Sequence, residues 1–154
     1  MGLFFFTMVE IVNRQRKIRI GSGGFLQFAE NAGKIVPGAE NRDFTVAFVS
    51  DRKMRELNSL FRGKRSTTDV LSFPSGGEDS ENGFDLFEEN HLGDIVISAE
   101  RAREQAAENG LNLETEIKQL ILHGLLHLCG FDHETDGGEM NALELGLRDK
   151  LKIN

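Results

Sequence analysis

The sequence has no tryptophan and no tyrosine, and only one cysteine, two prolines and four histidines among its 154 residues. With Cys129 alone, no intrachain disulfide can form, and a lone thiol fits a reducing compartment. Phenylalanine supplies all twelve aromatic rings. Long apolar runs are missing as well. Met1 to Thr7 (MGLFFFT) has no basic stretch ahead of its apolar residues and is too short for a signal peptide or a membrane span. Phe6 breaks the myristoylation pattern. The run GSGG at 21–24 lacks the Lys-Ser/Thr pair of a phosphate loop, and position 26 is Leu26, so neither glycine-based phosphate motif is met. A soluble, cytoplasmic protein with no membrane partner is expected.

What is present suits one domain spanning 1–154, a length that buries about 68–70% of the unfolded surface. The net charge of −7 is unevenly spread. Residues 1–69 carry twelve Lys/Arg and seven Asp/Glu, a balance of +5, and residues 70–154 carry six and eighteen, a balance of −12. The densest basic cluster is Arg52, Lys53, Arg55, Arg62, Lys64 and Arg65. Charge alone reads it equally as a solvated helix face or as a phosphate-contacting patch.

Strands are predicted at Met8 to Asn13, Asp43 to Val49, Thr67 to Phe73 (stopped by Pro74) and Leu92 to Ser98. A helical stretch over Ile18 to Ala32 is weakened by Gly21, Gly23 and Gly24. Ser50 is a good N-cap for a helix through about Phe61, with Met54, Leu57 and Phe61 at helical spacing. A helix over Ala99 to Asn109 is stopped by Gly110, and a long one from Leu113 to Cys129 by Gly130. Asp136 and Glu139 form a D-x-x-E capping pair for a last helix starting at Asp136, with Met140, Leu143, Leu147 and Leu151 as its apolar stripe. The acidic stretch Gly76 to Glu89 reads as a loop. Strands interleaved with helices imply an α+β domain with α/β-like layers, its sheet covered by helices.

The window His123 to His133 reads HGLLHLCGFDH. His123 and His127 are four apart on a predicted helix, so both rings leave one face. Gly130 permits the turn that ends the helix, and His133 can then fold back toward the same point. One histidine on an apolar helix is usually a packed side chain. Three of the chain's four at this spacing point instead to one divalent metal ion. Three imidazoles with a fourth position open is the catalytic zinc pattern, with nickel or another divalent metal as alternatives. The spacing equals that of the zinc-protease signature H-E-x-x-H-x-x-G-x-x-H, but Gly124 stands where those enzymes carry the glutamate base. Peptide hydrolysis thereby loses its usual proton acceptor.

HGLLHLCGFDH closely resembles the signature of the YbeY family of metal-dependent endoribonucleases, and TTDVLSFP (Thr67 to Pro74) and LGDIVIS (Leu92 to Ser98) resemble two further family segments in the same order. The likeness is recognisable from about residue 43 onward. It implies a four-stranded mixed sheet with a zinc-protease-like metal helix packed against it, His123, His127 and His133 as zinc ligands, and Arg62 as a functional arginine. It also implies a single-strand-specific endoribonuclease acting in small-subunit rRNA 3′-end maturation and ribosome quality control. Its partners would be ribosomal RNA, the small ribosomal subunit, and ribosomal or assembly proteins. Metal would activate water and polarise a phosphoryl oxygen, Arg62 would stabilise phosphate charge, and the nucleophile stays open between water and the ribose 2′-hydroxyl.

Other residues keep two readings each. Asp132 is a second-shell acceptor for a ligand histidine or an Asx-turn residue. Cys129 reads as a small buried hydrophobe rather than a metal ligand. His91 is expected exposed, and Asp69 and Asp94 take packing or pocket roles. Two rival functions remain, a metallopeptidase-like hydrolase, which Gly124 weakens, and a non-catalytic zinc module that binds the ribosome.

Overall fold

A computed structural model describes residues 8–21, 24–75, 90–132 and 136–154. The predicted acidic loop and His133 fall outside these residues. The described elements run β1 (Val9–Asn13), α1 (Gly24–Ile35), β2 (Asp43–Val49), α2 (Asp51–Arg62), β3 (Val70–Pro74), β4 (His91–Ser98), α3 (Ala99–Asn109), α4 (Leu113–Leu128) and α5 (Glu139–Leu151). The sheet order is β1-β2-β4-β3, with β1, β2 and β4 parallel and β3 antiparallel at one edge. The expected α+β domain with a four-stranded mixed sheet is what forms.

Alternation along the strands sorts the core into two layers. Phe44, Val46, Phe48, Ile95 and Ile97 join the larger cluster with the apolar faces of α1, α4 and α5. Val49, Leu71 and Val96 face the other way, onto Met54 of α2, with Leu57 and Phe73 packed against them. Met54 is fully buried, which contributes about 1.5–3 kcal/mol. The sheet is therefore covered on both faces, and β3 is the edge where the two layers meet solvent.

Helix limits follow local chemistry. Ser50, Ser98 and Asn112 accept from the backbone N–H groups of Lys53, Arg101 and Thr115 and so cap α2, α3 and α4. At the end of α4, Gly130 takes φ +93°. Gly130 N–H donates to His127 O at 3.0 Å and Phe131 N–H to Leu126 O at 3.1 Å, a Schellman closure that reverses the chain toward Asp132.

Several predicted boundaries move, among them the end of α1, which runs past Ala32 to Ile35, and the end of β3, which takes in Pro74 opposite Gly93. The stretch from Ile18 to Gly21 is not helical, because Gln15 closes a turn there, donating to Ile18 O at 2.8 Å and accepting from Ile18 N–H at 2.9 Å. Thr67 to Asp69 do not pair as strand, and the Thr67 hydroxyl instead donates to the Asp51 carboxylate. The last helix begins at Glu139 rather than Asp136. Asp136 still serves its start by accepting from Met140 N–H at 2.9 Å, while Glu139 accepts from Gly137 N–H at 2.6 Å rather than from Asp136.

Candidate active site

The loop after α2 is clamped from both ends. Buried Asn58 donates through Nδ2 to Ser66 O at 2.7 Å, and Asp51 receives the hydroxyls of Thr67 and, at 3.2 Å, Ser98. This holds Arg62 at the end of α2, around the edge of the sheet from α4. On the other side, the Ser72 hydroxyl of β3 donates to Gly124 O of α4 at 3.1 Å. The edge strand is thus fixed between the arginine and the histidine helix.

A cavity of about 430 Å³ opens along that edge, lined by Arg62, Thr68, Asp69, Ser72, Pro74, His123, His127 and Asp132 among others. Of the predicted site residues, Arg62, His123, His127 and Asp132 come together here, and His133 lies outside the described residues. Asp69 lines the cavity, whereas Asp94 faces outward on β4, 3.5 Å from His91 Nε2. His91 is half-buried rather than exposed. Cys129 is also only half-buried, packed against the larger core cluster at the C-cap of α4. Its burial pushes the thiol pKa up, with Arg42 opposing and Glu40 adding to the rise.

The two imidazoles meet nitrogen to nitrogen, with His123 Nε2 and His127 Nε2 3.1 Å apart. His123 Nδ1 lies 2.8 Å from Glu144 Oε1 of α5, and Glu144 Oε2 accepts from Arg148 Nη2 at 2.8 Å. Burial pushes the Glu144 carboxyl up, but the hydrogen bond and charge of His123 and the neighbouring Arg148 outweigh it and hold the pKa below the ordinary glutamate value. An ionised Glu144 can only accept, so His123 donates to it from Nδ1, which leaves Nε2 as the ring nitrogen that faces His127.

This donor set fits a divalent ion. Two nitrogens bound at about 2.0–2.1 Å to a tetrahedral ion stand about 3.3 Å apart, close to the observed separation, and a carboxylate behind a histidine orients the ring and raises its basicity. Glu144 is the residue that sequence reasoning missed. Its one local signal was a carboxylate set between Leu143 and Leu147 on the apolar side of the last helix, four residues before Arg148. Glu144 orients His123 in this geometry, and Asp132 lines the same cavity.

Position 124 is explained by packing. A Cβ there would sit 2.6 Å from Ile95 Cγ2 and 3.3 Å from Ser72 Oγ. The backbone of α4 touches the sheet at this point, so a glutamate at 124 would be driven into Ile95 and not into the cavity. Gly93 makes the matching approach from β4, where at φ +141° a Cβ would meet Phe73 O at 2.2 Å.

Comparison with known proteins agrees with this architecture. A family model described as Endoribonuclease YbeY matches residues 10–152, a span that begins well before residue 43. An Endoribonuclease YbeY from Thermodesulfovibrio yellowstonii is 37% identical over 160 aligned positions, covering 94% of this chain and 97% of that protein. One from Solibacter usitatus is 46% identical over 82% of this chain and 77% of the relative. One from Koribacter versatilis is 48% identical over 70% of this chain and 64% of the relative. Among solved structures, the solution structure of TM1509 from Thermotoga maritima superposes with a TM-score of 0.56 at 28% identity, covering 94% of this chain and 89% of that one. With the sheet order, the paired histidines and a family match across nearly its whole length, the chain belongs to the Endoribonuclease YbeY family.

Proposed function

We propose that this protein is a metal-dependent endoribonuclease that cleaves single-stranded RNA, acting in small-subunit rRNA 3′-end maturation and ribosome quality control in the cytoplasm. The observation that carries the reading is the pair of imidazole nitrogens 3.1 Å apart, opening on a cavity that also receives Arg62. His123 and His127, with His133, would hold one zinc ion, or nickel or another divalent metal in its place. When bound, the ion supplies Lewis-acid polarisation of a phosphoryl oxygen and activation of water.

The chain's own groups do the rest. Arg62 presents a guanidinium that pairs with the scissile phosphate and stabilises the charge that grows on it. Glu144 keeps His123 in one tautomer and one orientation. Asp69 and Asp132 line the cavity and supply the proton acceptors that position 124 cannot. Lys64 and Arg65, exposed on the loop after Arg62, add phosphate contacts that carry no base preference. Ribosomal and assembly proteins are the expected further partners.

The test is cleavage of a structured rRNA fragment containing the single-stranded 3′ region. Metal-loaded wild type should cut it, and His127→Ala, Arg62→Ala and chelated enzyme should not. Full activity in any of the three would overturn the reading. One observation favours a second reading, because an edge strand facing the histidines could add a peptide as a further strand. Chelator-sensitive peptide turnover without RNA cleavage would establish that alternative. Ribosome binding by a folded protein that cuts neither RNA nor peptide would establish a non-catalytic zinc module.

A further inference from the structure

Phe61 is 61% exposed and Leu60 beside it 76% exposed, at the C-terminal end of α2. Among the described residues, Phe61 is the one exposed aromatic ring. It is not loose. Its centroid lies 5.1 Å from that of Phe73 with the planes at 71°, a T-shaped contact that pins the ring while most of its surface stays in solvent. Phe73 is itself packed against the smaller core cluster, so the exposed ring stands on a rigid base.

Its position relates it to the cavity. Phe61 immediately precedes Arg62, and Phe73 lies between Ser72 and Pro74, and all three of those neighbours line the cavity. The ring therefore stands at the cavity rim on the α2 side of the edge strand. The residues that follow are cationic, with Arg62, Lys64 and Arg65 all exposed. An exposed, immobilised aromatic ring beside a run of cations is the arrangement that holds single-stranded nucleic acid. The cations track the phosphates, and the ring stacks a base whatever its identity.

We propose that Phe61 is a stacking platform for one unpaired nucleobase of the RNA, next to the phosphate held by Arg62. This deepens the endoribonuclease reading and rests on it. It also supplies a physical source for single-strand preference, because a base held inside a duplex cannot offer its face to the ring. Phe61 positions substrate and does not enter the chemistry.

The absence of tryptophan and tyrosine makes the test clean. Phe61→Trp installs a sole indole at the platform, and Leu26→Trp on α1 installs one on the opposite face of the sheet as a control. The probe is a single-stranded 2′-O-methyl oligoadenylate, compared with its duplex and with inorganic polyphosphate. Saturable quenching of the indole at 61 by the single strand alone, with no change at 26, is expected. In cleavage assays Phe61→Ala and Phe61→Leu should raise KM about 5- to 150-fold, the range for loss of one stacked base, while Phe61→Tyr stays near wild type.

Rescue by Tyr but not by Leu separates stacking from simple apolar bulk. Equal quenching by polyphosphate or duplex would overturn the platform. So would an unchanged KM in Phe61→Ala, in an enzyme that still cuts RNA and still needs Arg62, which leaves the nuclease reading intact. Specific quenching in a protein that never cuts RNA would support the platform and overturn the nuclease reading.

Discussion

Replacing Gly124 with alanine tests whether α4 is positioned by backbone contact with the sheet. In an unobstructed helix this change stabilises by about 1 kcal/mol, because alanine loses less backbone freedom than glycine. Here the new methyl would stand 2.6 Å from Ile95 Cγ2, 3.2 Å from Ile95 Cγ1 and 3.3 Å from Ser72 Oγ. Carbon contacts are optimal at about 3.5–4.0 Å, so roughly 1 Å must open between helix and sheet. Ile95 is fully buried and so are Leu125 and Leu126, which leaves no side chain free to swing away. Overpacking of this kind costs about 1–3 kcal/mol.

Set against the propensity gain, Gly124→Ala should lose up to about 2 kcal/mol, lowering Tm by as much as about 4–8 °C for a chain of this size. Gly146 in α5 is the internal control, since a Cβ there meets nothing within 4 Å. Gly146→Ala should gain about 0.5–1 kcal/mol. Urea denaturation of both variants, and of Gly124→Ala in an Ile95→Ala background, completes the assay. With Ile95 truncated the alanine at 124 should become neutral or stabilising, a coupling of about 0.5–3 kcal/mol. A Gly124→Ala protein stabilised as much as Gly146→Ala, or a shortfall from that gain unchanged by Ile95→Ala, would refute the packing argument.

Glu144→Gln should lower metal affinity about 10- to 100-fold, measured by competition with a chelating dye, while far-UV circular dichroism stays unchanged. Because the Glu144 pKa is depressed by His123 and Arg148 despite burial, its ionised form stabilises the fold above the ordinary glutamate pKa. That stability is lost as pH falls through the lowered value. Urea midpoints taken down to acid pH should therefore fall more steeply in wild type than in Glu144→Gln. Cys129, with its thiol pKa raised by burial, should react slowly with a thiol-specific disulfide reagent at neutral pH and speed up as pH rises, and rapid neutral-pH labelling of the folded protein would contradict this.

Elements whose ends are chosen by neighbouring residues were legible in the sequence. Ser50, Gly110 and Gly130 act on backbone groups within a few positions, and the helix ends they mark fall where those residues put them. Elements whose ends depend on side chains with two uses were misjudged. Thr67 suits a strand, but its hydroxyl is taken by Asp51 from sixteen residues away. Asp136 reads as an N-cap, yet it serves the helix from one turn earlier through Met140 N–H.

The pairing of His123 and His127 was determined by the sequence alone, because a spacing of four on a helix puts two rings on one face whatever surrounds them. The missing glutamate at 124 was equally visible, though its cause was not. Only the tertiary structure decided that position 124 is pressed against Ile95, that Glu144 arrives from α5 to orient His123, and that Arg62 rounds the sheet edge to share their cavity. Helical periodicity is set by the local backbone. The meeting of α2 and α4 at the edge strand, with α5 packed on α4, is set by how two apolar layers close over a sheet, and that depends on residues spread through the whole chain.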